Sequence, residues 1–237
     1  MTDHWNLIVT RQFDKAVTAY TEVLENKKDG PTYRNRATAL LLLNRHDEAF
    51  RDVLAAEALN PAPKGFGYFH SDTDQLRLGV IEWLIGKQDE AGNRWARICE
   101  ALLRGRVKYS DGSHGIGAAS LLRFAAARLA QNEMRQLADK LISKRIERQS
   151  YRAWPYPIGR FYFGELAANQ LLAMASDTPI LKDRQLCQIQ FAIAVTQLER
   201  LDVRGYNEQM VHAASYSLAL ENEYFLAIHE STANKGA

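Results

Sequence analysis

The sequence predicts an all-α protein built from repeated helical hairpins. Three similar stretches, at 13–16, 46–49 and 88–91, each begin an apolar run whose spacing of three and four residues marks one helix face. The alanine that ends each stretch is followed four residues later by Tyr20, Val53 or Trp95. All six prolines lie where the helical periodicity stops or restarts. No alternating apolar pattern with hairpin signals predicts a strand.

Charge, turn and loop patterns predict where each helix begins and ends along the chain. Acidic pairs at 47–48 and 89–90 suit helix starts, where the dipole favours negative charge. Short turns between neighbours predict antiparallel hairpins, and longer connections are expected at 60–71, 105–115 and 149–159, where function tends to vary. About 11 or 12 helices are predicted, at 3–10, 13–27, 31–43, 47–59, 72–85, 89–104, 115–130, 133–148, 157–175, 180–200, 204–219 and 220–230.

Residues 33–61 carry the pattern of a known helical repeat: Tyr33 and Ala37, the Asn44-Arg45 turn, Asp47-Glu48-Ala49, Ala56 and the closing Leu59-Asn60-Pro61. This unit resembles a tetratricopeptide repeat (TPR). Residues 74–101 match through Leu78-Gly79 and Trp95, and residues 13–24 look like the second helix of a leading unit. The resemblance implies a TPR-like α-α superhelix, or α-solenoid. It predicts one domain over 1–237, with recognisable repeats at 1–104 and degenerate helical pairs at 105–237.

The composition is that of a folded chain, because 46% of the 237 residues are hydrophobic and 24% are charged. The first 15 residues lack the basic start and apolar core of a signal peptide. The longest apolar stretch, at 37–43, is too short to span a bilayer. We therefore expect a cytoplasmic protein without a membrane partner. Cys99 and Cys187 have no paired spacing, which favours reduced core thiols.

The charge is unevenly distributed along the chain. The net charge is −3 over residues 1–90, +9 over 91–160 and −4 over 161–237, which gives the +2 of the whole. The basic middle is either a solvated face or an electropositive surface for an acidic partner. Nucleic acid is the less favoured partner, because the flanking segments are acidic and no RNA-reading repeat code is visible.

No motif in the sequence predicts catalysis. The glycine-rich stretch 111–117 could present N–H groups to an anion, but a helix cap explains it better. Adjacent carboxylates on a helix point about 100° apart and do not converge. The six histidines lack metal-ligand spacing, and no serine or cysteine has a nucleophile signature. We therefore expect a protein that is not an enzyme and has no metal or cofactor.

The TPR resemblance implies a non-catalytic scaffold that cradles a protein or peptide against the first helix of each hairpin. A few aromatic and arginine anchors usually dominate such surfaces. Burial between repeats is an equal alternative for Leu41 and Trp83. The predicted contacts are Arg34, Thr38, Leu41, Leu76, Trp83 and Arg123, with Arg145 and Arg148 in the basic segment and Trp154, Tyr156 and Arg160 at the loop.

The chain also looks like a TPR-type bacterial immunity protein, which neutralises a cognate toxin by direct binding. Its basic middle argues against a basic nuclease as the toxin, so this segment either faces away from the toxin or meets an acidic one. The alternatives are a general adaptor or chaperone, a nucleic-acid-binding repeat protein and a small hydrolase.

Overall fold

The computed structural model describes residues 4–59, 72–148, 152–216 and 220–233. The predicted connection at 60–71 lies outside these ranges, as do parts of the predicted loop 149–159 and helix 204–219. The described residues form no β-strand, which confirms the all-α class. Their 13 helices are α1 (Trp5–Val9), α2 (Phe13–Asn26), α3 (Gly30–Leu42), α4 (His46–Ala58), α5 (Asp72–Leu84), α6 (Gln88–Leu103), α7 (Ile116–Leu129), α8 (Asn132–Ile146), α9 (Tyr156–Tyr162), α10 (Ala168–Leu172), α11 (Pro179–Glu199), α12 (Val203–Ala214) and α13 (Asn222–Ala233).

One predicted element is wrong. The segment predicted as a single helix at 157–175 forms two short helices, α9 and α10. Gly164 interrupts it with a φ of 74°, a left-handed conformation that glycine adopts without steric cost. Its N–H donates to the carbonyl of Phe161 at 2.9 Å, which closes the last turn of α9. The apolar spacing on both sides conceals this break in the sequence.

Aspartates cap several helix starts. The carboxylate of Asp29 accepts the N–H of Thr32 at the start of α3, and that of Asp202 accepts the N–H of Gly205 at the start of α12. Before α7, the carboxylate of Asp111 accepts three backbone N–H groups, those of residues 113, 115 and 117, each at 2.9 Å. A side chain therefore caps this helix start, but it is Asp111; the hydroxyl of Ser113, the residue that the sequence suggests as the cap, donates instead to the carbonyl of Ala153. The N–H groups that might have held an anion already hold this carboxylate.

The recurring alanines lie at close helix–helix contacts, as the sequence predicted. Ala16, Ala49 and Ala91 are fully buried. In the second unit, Gly79 of α5 lies against the indole of Trp95 of α6, which donates to the carbonyl of Leu76 at 3.2 Å. Small side chains at these positions let the helices of a hairpin approach closely.

Each of three successive hairpins is also joined by an arginine–carboxylate pair. The pairs link α3 to α4, α5 to α6 and α7 to α8, with closest nitrogen–oxygen distances of 2.5–2.7 Å, and they are Arg36–Asp52, Arg94–Glu82 and Arg123–Asp139. The pair is present in α7–α8, where the TPR sequence motif has faded. The hairpin architecture therefore extends beyond the recognisable repeats.

The C-terminal helices return to pack on the earlier hairpins. Helix α13 contacts α5, and α11 contacts α7. A row of aromatic rings crosses the junction: Trp83 packs on Trp95 and Phe124, and Phe124 packs on Phe191 of α11. The early hairpins and the last helices therefore share one hydrophobic core.

Candidate functional site

Two of the predicted contact residues lie inside the protein. Trp83 is fully buried, and Arg123 is 2% exposed. The guanidinium of Arg123 bonds both carboxylate oxygens of Glu199 on α11, at 3.0 and 2.7 Å, and also contacts the ring of Tyr162. These side chains bind another part of the same chain, so they present no surface to a partner in this structure.

Glu230 of α13 lies against the buried side chain of Trp83. Glu230 is 2% exposed, and its carboxylate accepts hydrogen bonds from Trp83 Nε1 at 3.1 Å and from the Tyr206 hydroxyl at 2.7 Å. Arg128 Nε lies 3.3 Å from the same carboxylate. Burial raises the pKa of Tyr206, which keeps its hydroxyl protonated as a donor. The face of α5 that the TPR resemblance assigns to a partner is therefore covered by α13.

Four other predicted residues surround one cavity of about 450 Å³, which we call the central cavity. Arg34 and Thr38 of α3 and Leu76 of α5 line it, together with Trp154 of the loop before α9. Leu76 is nonetheless 4% exposed, so little of its side chain reaches the cavity. The structure thus brings together residues that lie far apart in the sequence.

The central cavity contains paired charges. Arg34 forms two bonds of 2.6 Å with Asp74, and Arg184 pairs with Glu221. Arg77 donates to the carbonyl of Leu220 at 3.0 Å, and burial lowers its pKa to about 10. Most of these cations therefore already have a carboxylate partner, and the cavity has no strong excess of either sign.

Two acidic groups near this region have pKa values above the ordinary range of carboxylates. Burial raises the pKa of Glu223 to about 7, and the neighbouring Glu221 raises it further. Burial also raises the pKa of Asp72 to about 6, against the lowering effect of hydrogen bonds from Ser110. Part of the wall formed by α13 therefore changes its charge near neutral pH.

A second cavity, of about 760 Å³, lies between the N-terminal helices and α13. Leu41, another predicted contact, lines it but is only 3% exposed. The opposite wall includes Tyr224 and Phe225. Leu41 is therefore mainly a core residue, which is the alternative that the sequence left open.

The remaining predicted loop contacts have intramolecular partners. The Tyr156 hydroxyl donates to the carbonyl of Ile146 at 3.2 Å. Arg160 Nε lies 2.9 Å from a carboxylate oxygen of Glu165, and Trp154 Nε1 donates to Gln188. The contacts of Tyr156 and Trp154 hold the start of α9 against α8 and α11, whereas the contact of Arg160 lies at the end of α9.

The predicted residues Arg145 and Arg148 line a third depression of about 660 Å³, which we call the basic cleft. It lies between the end of α6, the turn before α7 and the end of α8. None of the described residues that line it is Asp or Glu. Its polar members are the five cations Arg104, Lys108, Lys144, Arg145 and Arg148 and the rings of Tyr109 and His114.

Two of these cations form the floor of the basic cleft. Arg145 is 7% exposed and donates to the carbonyls of His114 and Leu102, both at 2.9 Å. Lys144 donates to the carbonyl of Leu103 at 3.0 Å. The bonds to Leu102 and Leu103 reach carbonyls of the last turn of α6, where the Leu102 carbonyl also accepts the N–H of Gly105 at 3.2 Å, and the bond to His114 reaches the turn before α7. A neutral carbonyl fixes a cation without cancelling its formal charge, so the floor stays electropositive.

An aromatic pair forms one side of the basic cleft. The rings of Tyr109 and His114 are stacked, with centroids 3.6 Å apart and planes 14° apart. Tyr109 is 47% exposed. Burial lowers the pKa of His114, and the charges of Arg145 and Arg148 lower it further against the raising effect of Asp111.

The cations of the basic segment 91–160 have two kinds of surroundings that the sequence alone does not distinguish. Several of its arginines form ion pairs with carboxylates, including Arg94 with Glu82 and Arg128 with Glu230. Arg104, one cation of the basic cleft, makes an exposed contact of 3.8 Å with Glu100. Five cations of the segment line this cleft, and others, such as Arg97 and Lys140, are exposed outside it.

No protein-family model matches the chain, and no curated protein matches it significantly. Within the described ranges, no group of three or more His, Cys, Asp or Glu side chains is arranged to hold a metal ion. No helix in the same ranges is both long and apolar enough to cross a membrane. Cys99 and Cys187 are buried free thiols, and burial raises the pKa of each.

Proposed function

We propose that the protein is a non-catalytic, TPR-like scaffold that binds a protein partner with an acidic surface, and that this surface docks at the basic cleft. The observation that carries the proposal is the cleft itself, where five cations converge with no carboxylate among the described lining residues. Electrostatic complementarity of this kind sets specificity and association rate. The resemblance to TPR scaffolds supports the choice of a protein as the partner.

The proposal moves the docking surface away from the one predicted by the TPR analogy. Helices α11 and α13 cover the inner face of α5 and α7, so a partner that used this face would have to displace them. The core side chains of α13, such as Phe225 and Leu226, are almost completely buried, which makes displacement costly. The basic cleft requires no such rearrangement.

The most specific form of the proposal is an immunity protein that neutralises a toxin with an acidic surface. It predicts that a gene beside this one encodes a toxin domain, and that co-expression of the two restores growth. A general adaptor or chaperone would instead bind several acidic partners and would protect against no particular toxin.

Charge reversal at the cleft tests the docking surface. Lys108→Glu combined with Arg148→Glu reverses two exposed cations of the cleft, and Arg97→Glu combined with Lys140→Glu reverses two exposed cations outside it. Both double variants change the net charge equally. Partners captured from the source cells would be purified and their affinities measured by calorimetry.

We expect the cleft variant to lose at least about tenfold in affinity, or 1.4 kcal/mol, and the control variant to change little. Equal effects of the two variants would show that only the overall charge matters, and the cleft would be rejected as the docking surface. Recovery of RNA alone from the cells would reject the protein scaffold.

A further inference from the structure

We propose that the second cavity, which we call the N-terminal cavity, binds a small apolar carboxylate such as a medium-chain fatty acid. Its hydrocarbon chain would lie on the apolar wall and its carboxylate beside the arginines. The cavity measures about 760 Å³, within the range of about 300–1,000 Å³ that is usual for small-molecule sites. The inference goes beyond the proposed function, because it concerns a small ligand at a place in the fold distinct from the basic cleft.

Apolar side chains form most of the described wall of the N-terminal cavity. Three of them are well exposed for side chains of their kind. Trp5 and Val9 of α1 are 36% and 40% exposed, and Ile180 of α11 is 61% exposed. A hydrocarbon chain in the cavity would remove this apolar surface from water, which is favourable.

The charged side chains of the same cavity carry an excess of positive charge. Three arginines line it, Arg11, Arg77 and Arg184, against one carboxylate among the described lining residues, that of Glu221. Glu221 is already paired with Arg184. Arg11 and Arg77 form no ion pair within the described part of the chain. The cavity therefore favours an anionic ligand over a neutral or cationic one.

Arg77 of α5 is the arginine whose charge is least compensated. It donates to the carbonyl of Leu220 at 3.0 Å, and its Cζ lies 4.7 Å from the centroid of the Phe225 ring. Its Nη1 is buried without a hydrogen-bond partner among the described residues. Burial lowers the pKa of Arg77 only to about 10, so the guanidinium stays charged at pH 7. The side chain lines the cavity, so a turn of the guanidinium would bring Nη1 to a ligand carboxylate.

The protein's own carboxylates do not take that place. Three of them raise the pKa of Arg77 without bonding to it: Glu221, Glu223 and Asp74. Glu221 is paired with Arg184, and Asp74 is paired with Arg34. Burial raises the pKa of Glu223 to about 7, so part of this carboxyl group is protonated near neutral pH. A ligand carboxylate would therefore be the first to bond to Arg77.

Calorimetry on the purified full chain at low ionic strength tests the assignment with decanoate, octanoate and 1-decanol. We expect decanoate to bind at one saturable site. Octanoate lacks two methylene groups and should bind about tenfold more weakly. Decanol keeps the chain but lacks the charge, and it should also bind about tenfold more weakly than decanoate.

Ile180 supplies a pair of variants that differ in charge alone. It lines the cavity and lies one turn before Arg184 on α11. Ile180→Glu should bind decanoate at least about fivefold more weakly than Ile180→Gln, whereas decanol should bind the two variants equally. Val211 is an exposed apolar residue of α12 outside the cavity. Val211→Glu and Val211→Gln should therefore bind decanoate equally.

The inference is overturned if decanoate shows no saturable binding, if octanoate or decanol binds as tightly, or if the two Ile180 variants bind decanoate equally. An acetylated apolar tetrapeptide with a free carboxylate that bound more tightly than decanoate would assign the cavity to the end of a peptide instead. The charge-reversal test on a captured partner concerns the basic cleft alone. Failure of decanoate binding would therefore leave the proposed function standing, and rejection of the cleft would leave this site standing.

Discussion

Replacing Gly79 by alanine tests how closely the helices of the second hairpin approach each other. A Cβ at this position would meet Trp95 Nε1, and it would lie 2.7 Å from Cε2 and 3.0 Å from Cδ1 of the same ring. The indole has little freedom to withdraw, because it is fully buried, packs on Trp83 and donates to the carbonyl of Leu76. The added methyl group must therefore displace either the ring or α5.

Two opposing effects determine how much Gly79→Ala changes the free energy of unfolding. Alanine is favoured over glycine in a helix interior by about 0.5–1 kcal/mol. Overpacking of a core costs about 1–3 kcal/mol, and loss of the bond from Trp95 to Leu76 costs about 0.5–1.5 kcal/mol. We therefore expect Gly79→Ala to lower the free energy of unfolding by about 1–3 kcal/mol, despite the better helix former.

Urea unfolding followed by circular dichroism measures this change, with Gly92→Ala as the matched control. A Cβ at Gly92 of α6 would meet mainly the flexible end of Met134, at 3.0 Å from Cε, which can turn away. The control should be close to neutral or slightly stabilised. If Gly79→Ala unfolds at the same urea concentration as Gly92→Ala, or at a higher one, the rigid contact between α5 and α6 is refuted.

Three further predictions concern other parts of the core. Arg123→Met removes one of the two cations that pair with Glu199 among the described residues and leaves Arg135. The free energy of unfolding should fall by about 3 kcal/mol, and the melting temperature should fall with it. An unchanged melting temperature would contradict this expectation. Because the pKa of Glu223 is about 7 in the folded state, above its ordinary 4.5, folding favours the protonated form. Stability should therefore fall as the pH rises from about 5 to 8, and Glu223→Gln should flatten this dependence of the urea midpoint. Ala49→Leu should overpack the fully buried seam of α4 and cost about 1–3 kcal/mol, so a wild-type urea midpoint would disprove the tight fit.

Local sequence patterns were sufficient to predict most of the helices and the residues that pack within each hairpin. The alanines at 16, 49 and 91 and the larger side chains that follow them are buried, because helix periodicity and side-chain size act over a few residues. The break at Gly164 was missed because apolar spacing continues on both sides of it. A single glycine in such a run is compatible with a helix, so the pattern alone does not locate the turn.

The functional surface was harder to predict, since it depends on contacts between distant segments. The repeat pattern placed Trp83 and Arg123 on the first helices of their hairpins, but their partners Glu230 and Glu199 lie in helices that the pattern does not position. The same limit applied to the basic segment. Charge counting found it, and only the fold distinguished arginines paired with remote carboxylates from those that line the basic cleft.

The bond between Trp83 and Glu230 joins residues 147 positions apart, and this separation has a consequence for synthesis of the chain. At about 5–20 residues per second, roughly 7 to 30 s pass between translation of the tryptophan and translation of its carboxylate partner. During that interval the nascent hairpins lack the helix that covers α5, and their indole and neighbouring apolar side chains face solvent or a chaperone. In an open repeat array the units are completed one after another, whereas the core shared by α5 and α13 is complete only after α13 leaves the ribosome.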